Sequence, residues 1–207
     1  MTAVVLLLHG TKDYFMKEAD LILIIDMQNV YREGQPWACR DFDGTARRIR
    51  EIVSHAEMKC ANPNVFVTEF LPPESPFGTW CDYNTEYAEQ NADAWLNAVA
   101  DEICLLTQRY TLISKDTYSA MSVEAIRKEA MAAQERGGRV VVTGVVAECC
   151  VLWTACAAID LGCKVVYITD AVSGFDVAKE KGAELMLQGL APMQVELMTA
   201  KEYLKED

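Results

Sequence analysis

Residues 139–163 read RVVVTGVVAECCVLWTACAAIDLGC. The opening run, 139–145, is apolar and β-branched without the polar alternation of a half-buried strand, which is how a strand covered on both faces of a parallel sheet reads. Residues 149–161 are too long for a strand and follow as a helix. Gly162 then stands where that helix must stop, supplying the left-handed conformation that helix ends favour. The next apolar run begins at once, at 164–169. Strand, short polar turn, helix and strand in succession are the repeating unit of a parallel sheet.

The same alternation continues outward in both directions. Further strand-like runs lie at 21–25, 65–70, 111–114 and, more weakly patterned, 194–198, with helical patterns at 42–60, 122–136 and 175–189. Gly137-Gly138 marks a second helix end, and Thr199 followed by Glu202 has the spacing of a capping box for a last short helix. The expected fold class is α/β: a three-layer α-β-α arrangement around a six-stranded, mainly parallel, Rossmann-like sheet, with residues 1–207 forming one domain. The stretch 71–89 has no period and is rich in Pro, Gly and aromatic residues. It is expected to be a long loop, in which Trp80 and Tyr83 either line a site or, with Phe77, pin the loop to the body or to a second subunit.

Composition narrows the function. Half of the residues are apolar and about a quarter charged, the balance of an ordinary globular chain. The formal net charge of -12, with no basic cluster, argues against nucleic acid and anionic membranes as partners. Residues 1–9 contain only a short apolar run with no basic flank, a poor signal peptide and too short to span a bilayer. There are eight cysteines, several within apolar segments and without repeated C-x-x-C spacing, so reduced thiols and a cytoplasmic location are expected.

In an open parallel sheet, ligands bind beyond the carboxyl ends of the strands, so polar residues closing apolar strands carry most weight. Three segments qualify: I-I-D-M-Q-N ending the 21–25 strand, K-D-T-Y-S-A after 111–114, and G-V-V-A-E-C-C-V-x-x-T-A after the 139–145 strand. Taken singly, each key residue has a plain structural reading. Asp26 would be a helix cap, Lys115 a solvated surface lysine and Cys150 a small buried apolar residue. Together and in this order, the three segments resemble the signature segments of isochorismatase-like cysteine hydrolases. The similarity runs from Leu21 to about Ala171.

That resemblance implies a catalytic set of Asp26 as general base, Lys115 as the steadying cation and Cys150 as nucleophile. It also implies a cis peptide between Val145 and Val146, whose backbone N–H groups join that of Cys150 in holding an oxyanion. Gln28, Trp80 and Tyr118 are the expected substrate-pocket residues. A helix N-terminus and a nearby ammonium should both favour the thiolate at Cys150. Of the adjacent pair, the spacing from Gly144 and the following Val151 favour Cys150 as the attacking sulfur, with Cys149 turned into packing; an oxidised Cys149–Cys150 pair is the lesser alternative. The expected reaction is hydrolysis of a small amide or N-carbamoyl compound through a thioester.

Departures from the familiar members matter as much. Nicotinamidases of this superfamily carry an Asp and histidines after the second strand to bind a metal, where this chain reads Thr68-Glu69-Phe70-Leu71-Pro72-Pro73. The only histidines are His9 and His55, so no metal and no other cofactor is expected. Met121 stands where a Phe is common, and a His often found after Asp170 is missing. Leu8-His9-Gly10 has the look of an α/β-hydrolase oxyanion loop, but the chain has no G-x-S-x-G elbow. Gly137-Gly138 precedes a strand, the wrong context for a dinucleotide loop. Two alternatives stay open: isochorismatase-like ether hydrolysis with Asp26 as acid, and a non-catalytic ligand-binding subunit of the same fold. The expected partners are a small-molecule substrate and further copies of the chain, as a homodimer or homotetramer, with Trp37 and the 71–89 segment as candidates for that interface.

Overall fold

The structure, a computed structural model, describes residues 20–206; the opening residues 1–9 and the His9-Gly10 pair lie outside it. Six strands form one sheet: β1 (Leu21–Ile25), β2 (Asn64–Phe70), β3 (Thr111–Lys115), β4 (Val140–Val145), β5 (Val165–Ser173) and β6 (Val195–Met198). Their order is β3-β2-β1-β4-β5-β6 and every pairing is parallel. The expected α/β sheet is therefore present, and it is wholly rather than mainly parallel.

Alternate residues of the central strand divide two apolar layers. Leu21, Leu23 and Ile25 face α6 (Glu124–Glu135), α7 (Leu152–Asp160) and α8 (Val177–Gln188), while Ile22 and Ile24 face α1 (Phe42–Lys59), α5 (Asp101–Thr107) and α9 (Ala200–Tyr203). All five β1 side chains are buried, each contributing roughly 1.5–3 kcal/mol relative to exposure. The helix α1 shows the pattern that makes this possible, turning Phe42, Ala46, Ile49, Ile52 and Val53 to the sheet. Asp41 caps it by accepting from the Gly44 N–H at 3.2 Å. The Thr199–Glu202 capping box is formed as its spacing implies.

The 71–89 stretch differs from the sequence expectation. It holds α2 (Thr79–Glu86) and is followed by α3 (Ala88–Ala92) and α4 (Ala94–Asn97). Neither α2 nor α3 has a fully buried residue, so neither carries the apolar stripe by which a helix is recognised. The last helix pattern before β5 also begins differently. Residues Ala147–Val151 form a wide π turn, and α7 starts only at Leu152.

The strand order reverses direction between β1 and β4, and this is the switch point at which open parallel sheets bind ligands. Here the two strands pack unusually closely. Gly144 has φ +106°, and a Cβ on it would collide with the Ile25 backbone oxygen and stand 2.7 Å from the Ile25 nitrogen. Only glycine permits this approach, which brings the residues after β1 and after β4 to one place.

Candidate active site

Asp26 leaves β1 in the left-handed region, with φ +50°. Such a conformation costs a non-glycine residue about 1–3 kcal/mol and persists only when surrounding contacts fix it. Those contacts come from β2. The Asp26 N–H is held by the Thr68 carbonyl at 3.1 Å, and the Thr68 hydroxyl donates to Asp26 Oδ1 at 2.7 Å. The other oxygen, Oδ2, lies 2.7 Å from Lys115 Nζ, and both side chains are fully buried. Oδ2 is otherwise without a hydrogen-bond partner.

Lys115 ends β3 and reaches past Phe70, its neighbour at the end of β2, to the switch point. Its ammonium also lies 3.5 Å from Cys150 Sγ and donates to the Thr117 carbonyl at 3.1 Å. The Phe70 ring is 5.1 Å from it. Burial works against this ammonium, but the Asp26 carboxylate and, less strongly, Cys150 outweigh it and raise its pKa, so the group stays charged.

Cys150 lies in the π turn after β4, 2 % exposed. Its carbonyl accepts from the Thr154 hydroxyl at 2.7 Å, and the same hydroxyl accepts from the Ala120 N–H at 2.9 Å, tying the turn to the segment after β3. The electrostatics correct one sequence expectation. Burial, followed by the negative charge of Asp26, pushes the Cys150 thiol well up, and Lys115 opposes this without reversing it. The resting group is a thiol beside a carboxylate and an ammonium, not a standing thiolate.

Of these three side chains Cys150 lines a cavity of about 570 Å3, while Asp26 and Lys115 are buried next to it and do not reach the lining. Val146, Cys149 and Cys150 line its base, and the peptide bond between Val145 and Val146 is cis. Its walls are the rings of Tyr31, Trp37, Phe70, Tyr83, Tyr87 and Tyr118, with Phe175 at the rim. Tyr118 and Tyr83 are thus at the cavity. Trp80 is not: it packs behind, 5.1 Å from Tyr118 and 6.1 Å from Phe70 between ring centroids.

Gln28 also departs from its expected place. Its amide donates to the carbonyls of Phe70 at 3.0 Å and Asn97 at 2.7 Å and accepts from the Phe70 N–H at 2.9 Å, so it braces β2 against the 93–97 segment. Cys149, expected in packing, shares the cavity lining with Cys150. In the wide turn both adjacent side chains reach the same space. Trp37, considered for a subunit interface, stands in the cavity wall.

Sequence reading missed Thr68, Thr154 and most of the ring wall. The signal for Thr68 was its place one pairing away from Asp26 at a strand end. For the rings it was the number of aromatic residues just after the carboxyl ends of β1, β2 and β3. In the 68–73 segment, Glu69 accepts from the Ser114 hydroxyl at 2.6 Å. Among the described residues, no three His, Cys, Asp or Glu side chains are grouped to hold an ion. Among them, too, no helix is long and apolar enough to cross a membrane.

Comparison with solved structures places this architecture among known ones. A cysteine hydrolase from Pseudomonas syringae pv. phaseolicola is similar with a TM-score of 0.76 at 16 % identity, covering 92 % of each chain. An isochorismatase family protein from Desulfovibrio vulgaris gives 0.71 at 18 % identity, over 90 % of this chain and 96 % of its own. A pyrazinamidase from Pyrococcus horikoshii, in complex with zinc, gives 0.62 at 18 % identity over 87 % and 99 %. At these identities the likeness shows the fold. No curated protein matches by sequence. The family model described as the isochorismatase domain matches residues 20–202, and by that match over nearly the whole chain the protein belongs to the isochorismatase domain family.

Proposed function

We propose that the protein is a cysteine-dependent hydrolase of a small amide or N-carbamoyl compound, acting through a thioester and without a metal ion. One observation carries this reading: the Lys115 ammonium stands 2.7 Å from the Asp26 carboxylate and 3.5 Å from the sulfur of Cys150, the member of the three that lines a cavity large enough for a small organic molecule.

Because the resting sulfur is protonated, attack must be coupled to proton transfer. Asp26 takes the thiol proton as the sulfur bonds to the substrate carbonyl carbon, and the oxygen becomes an oxyanion. The backbone N–H groups of Val146 and Cys150, at the cavity base with Val145 behind them, are the donors for that charge. As the C–N bond breaks, Asp26 returns the proton to the leaving nitrogen, giving an amine or ammonia and a thioester. Water then attacks the thioester with Asp26 as base, releasing the acid and restoring the thiol. Lys115 stays an ammonium throughout and balances the charge that moves between carboxylate and sulfur. Thr68 holds Asp26 at the angle these transfers require, which makes it a positioning residue.

Membership of a family that includes hydrolases, and the similarity to structures described as a cysteine hydrolase and a pyrazinamidase, support the reaction class. The test is ammonia release across a panel of small amides and ureido acids, with Cys150→Ala as control. Release by the wild type and its loss by about 10^4-fold in the variant are expected. Turnover that survives Cys150→Ala would exclude the thioester route and favour ether-type or acid–base hydrolysis by Asp26.

A further inference from the structure

The mechanism uses the cavity floor and leaves its walls without a task. Those walls carry seven aromatic side chains beside Pro36, Ala38 and Gln90, and several of the rings are set at steep angles to one another. Trp37 meets Tyr87 at 89° and 5.4 Å, Phe70 meets Tyr83 at 89° and 5.9 Å, and Tyr83 meets Tyr87 at 58° and 4.8 Å. A flat ligand ring is held between parallel plates about 7 Å apart, twice an ordinary carbon–carbon contact. The one nearly parallel pair, Phe70 and Tyr118, has centroids 6.4 Å apart and leaves no room for a third ring. Angled faces enclose a rounded group instead.

Charge points the same way. No lysine or arginine side chain is among the described residues lining the cavity, and Lys115 beneath it is already engaged by Asp26, Thr117 and Cys150. A carboxylate on the ligand would find no cation there. The hydroxyls of Tyr31, Tyr83 and Tyr118 have no hydrogen-bond partner among the described residues, and burial keeps each of them protonated. Glu148, next to Cys149 in the chain but outside the lining, keeps Oε2 buried and unpartnered beside Gly174, while its Oε1 accepts from the Phe175 N–H at 3.3 Å. That Oε1 is also 4.0 Å from Lys179, a lysine shared with Asp176 at 3.6 Å.

We infer that the ring-walled cavity binds the non-reacting end of the substrate as an alkylated ammonium cation, so that the preferred substrate is a small amide bearing a trimethylammonium or similar group. The faces of Trp37, Tyr83 and Tyr87 supply the negative quadrupoles that attract such a cation once it is desolvated, as in other aromatic cages. This rests on the amide-hydrolase reading for the reacting end of the ligand and on the ring geometry for the other end.

The test uses a matched set of probes: betaine amide as the cation, tert-butylacetamide as its neutral isostere, malonamate as the anion and nicotinamide as the flat ring. Binding is measured by calorimetry on Cys150→Ala protein, and ammonia release by the wild type is measured in parallel. Betaine amide is expected to bind about tenfold more tightly than its isostere, with malonamate weakest. The preference should persist in about 0.5 M salt, where long-range attraction to a protein of net charge -12 is screened and a direct contact is not.

Trp37→Leu should bring the cation-to-isostere ratio close to one, whereas Tyr87→Phe, which keeps a ring face, should retain it. If Trp37→Leu does not fold, Trp37→Phe supplies the same test through a smaller drop, because its ring is the weaker cation acceptor. Equal binding of cation and isostere, stronger binding of malonamate or nicotinamide, no binding of the cation, a preference abolished by salt, or one indifferent to Trp37 would each overturn the assignment. Ammonia release without cation preference defeats this inference alone. Cation preference without ammonia release from any amide defeats the hydrolase reading and leaves the ligand class standing.

Discussion

The two central strands carry a buried charged cluster at each end, and the clusters are built in opposite ways. At the amino ends, Asp20 precedes β1 and Arg139 precedes β4; at the carboxyl ends, Asp26 follows β1 and Cys150 follows β4. Around Asp20 nearly every polar atom is satisfied. Its oxygens accept from the Arg139 N–H at 2.8 Å, from the guanidinium at 3.3 and 2.9 Å, and from the Tyr203 hydroxyl at 3.1 Å. Arg139 extends to Glu196 at 3.1 Å and Glu206 at 2.9 Å, and these acidic partners, Asp20 first, hold it charged against the cost of burial. The cavity beside it is about 10 Å3, room for one water at most. Around Asp26 the hydrogen bonds are fewer: Oδ1 has the Thr68 hydroxyl, Oδ2 has the Lys115 ammonium at 2.7 Å, and a cavity of about 570 Å3 opens beyond Cys150. The densely bonded cluster ties the strand starts together, and the sparser one lies where the proposed proton transfers would take place.

The comparison can be broken most directly by exchanging each cation for an apolar side chain. Arg139→Met leaves Asp20 buried without its counter-charge and is expected to cost about 3–5 kcal/mol in denaturant unfolding, while turnover per folded molecule stays within about twofold. If turnover collapses while stability holds, the two ends have been assigned the wrong way round. Lys115→Met also strips a buried carboxylate of its counter-charge and is expected to lose a similar stability, but it should in addition lower kcat/KM per folded molecule by about 10^2–10^3-fold, roughly 3–4 kcal/mol.

Thr68→Val sharpens the contrast on a smaller scale. It removes the hydroxyl that orients Asp26 and leaves a buried carboxylate oxygen one donor short, so kcat/KM per folded molecule should fall by about tenfold and stability by about 1–3 kcal/mol. An unchanged kcat/KM would remove Thr68 from the site. The smallest effect concerns pH. The folded-state pKa of Cys150 lies above its ordinary thiol value, so its contribution to stability is complete below roughly pH 8.5 and is lost as pH rises toward the folded value. Thermal melts between about pH 8 and pH 10 should therefore show the wild type losing more Tm than Cys150→Ala; equal losses would mean that the thiol is not held protonated.

How much of this was legible in the sequence depended on whether a residue's role repeats along the chain. The strands β1 and β4 announce themselves by unbroken apolar runs, Asp26 and the turn holding Cys150 follow them, and Lys115 closes β3, so the fold and the three-residue cluster could be read together. Residues 79–92 could not, because helices that bury no residue completely leave no periodic trace and Pro and Gly before them imitate a loop. Gln28 and Trp80 were expected at the cavity from their neighbourhood in sequence. One is spent on backbone groups of Phe70 and Asn97, and the other stands one layer behind. The outlook of Cys149 depends on a widened turn, and the state of the Cys150 proton on the sum of burial and two opposed charges. Neither quantity is written in residue order.

The division of labour between sheet and cover has a consequence for how this scaffold can change. The groups proposed to react stand at or just after the ends of strands whose side chains are fixed in the core, whereas α2 and α3, which contribute Tyr83 and supply part of the enclosure, commit no fully buried side chain to it. Residues there can be exchanged with little risk to the framework, so new specificities are accessible by rewriting a surface segment while the chemistry beneath is inherited unaltered.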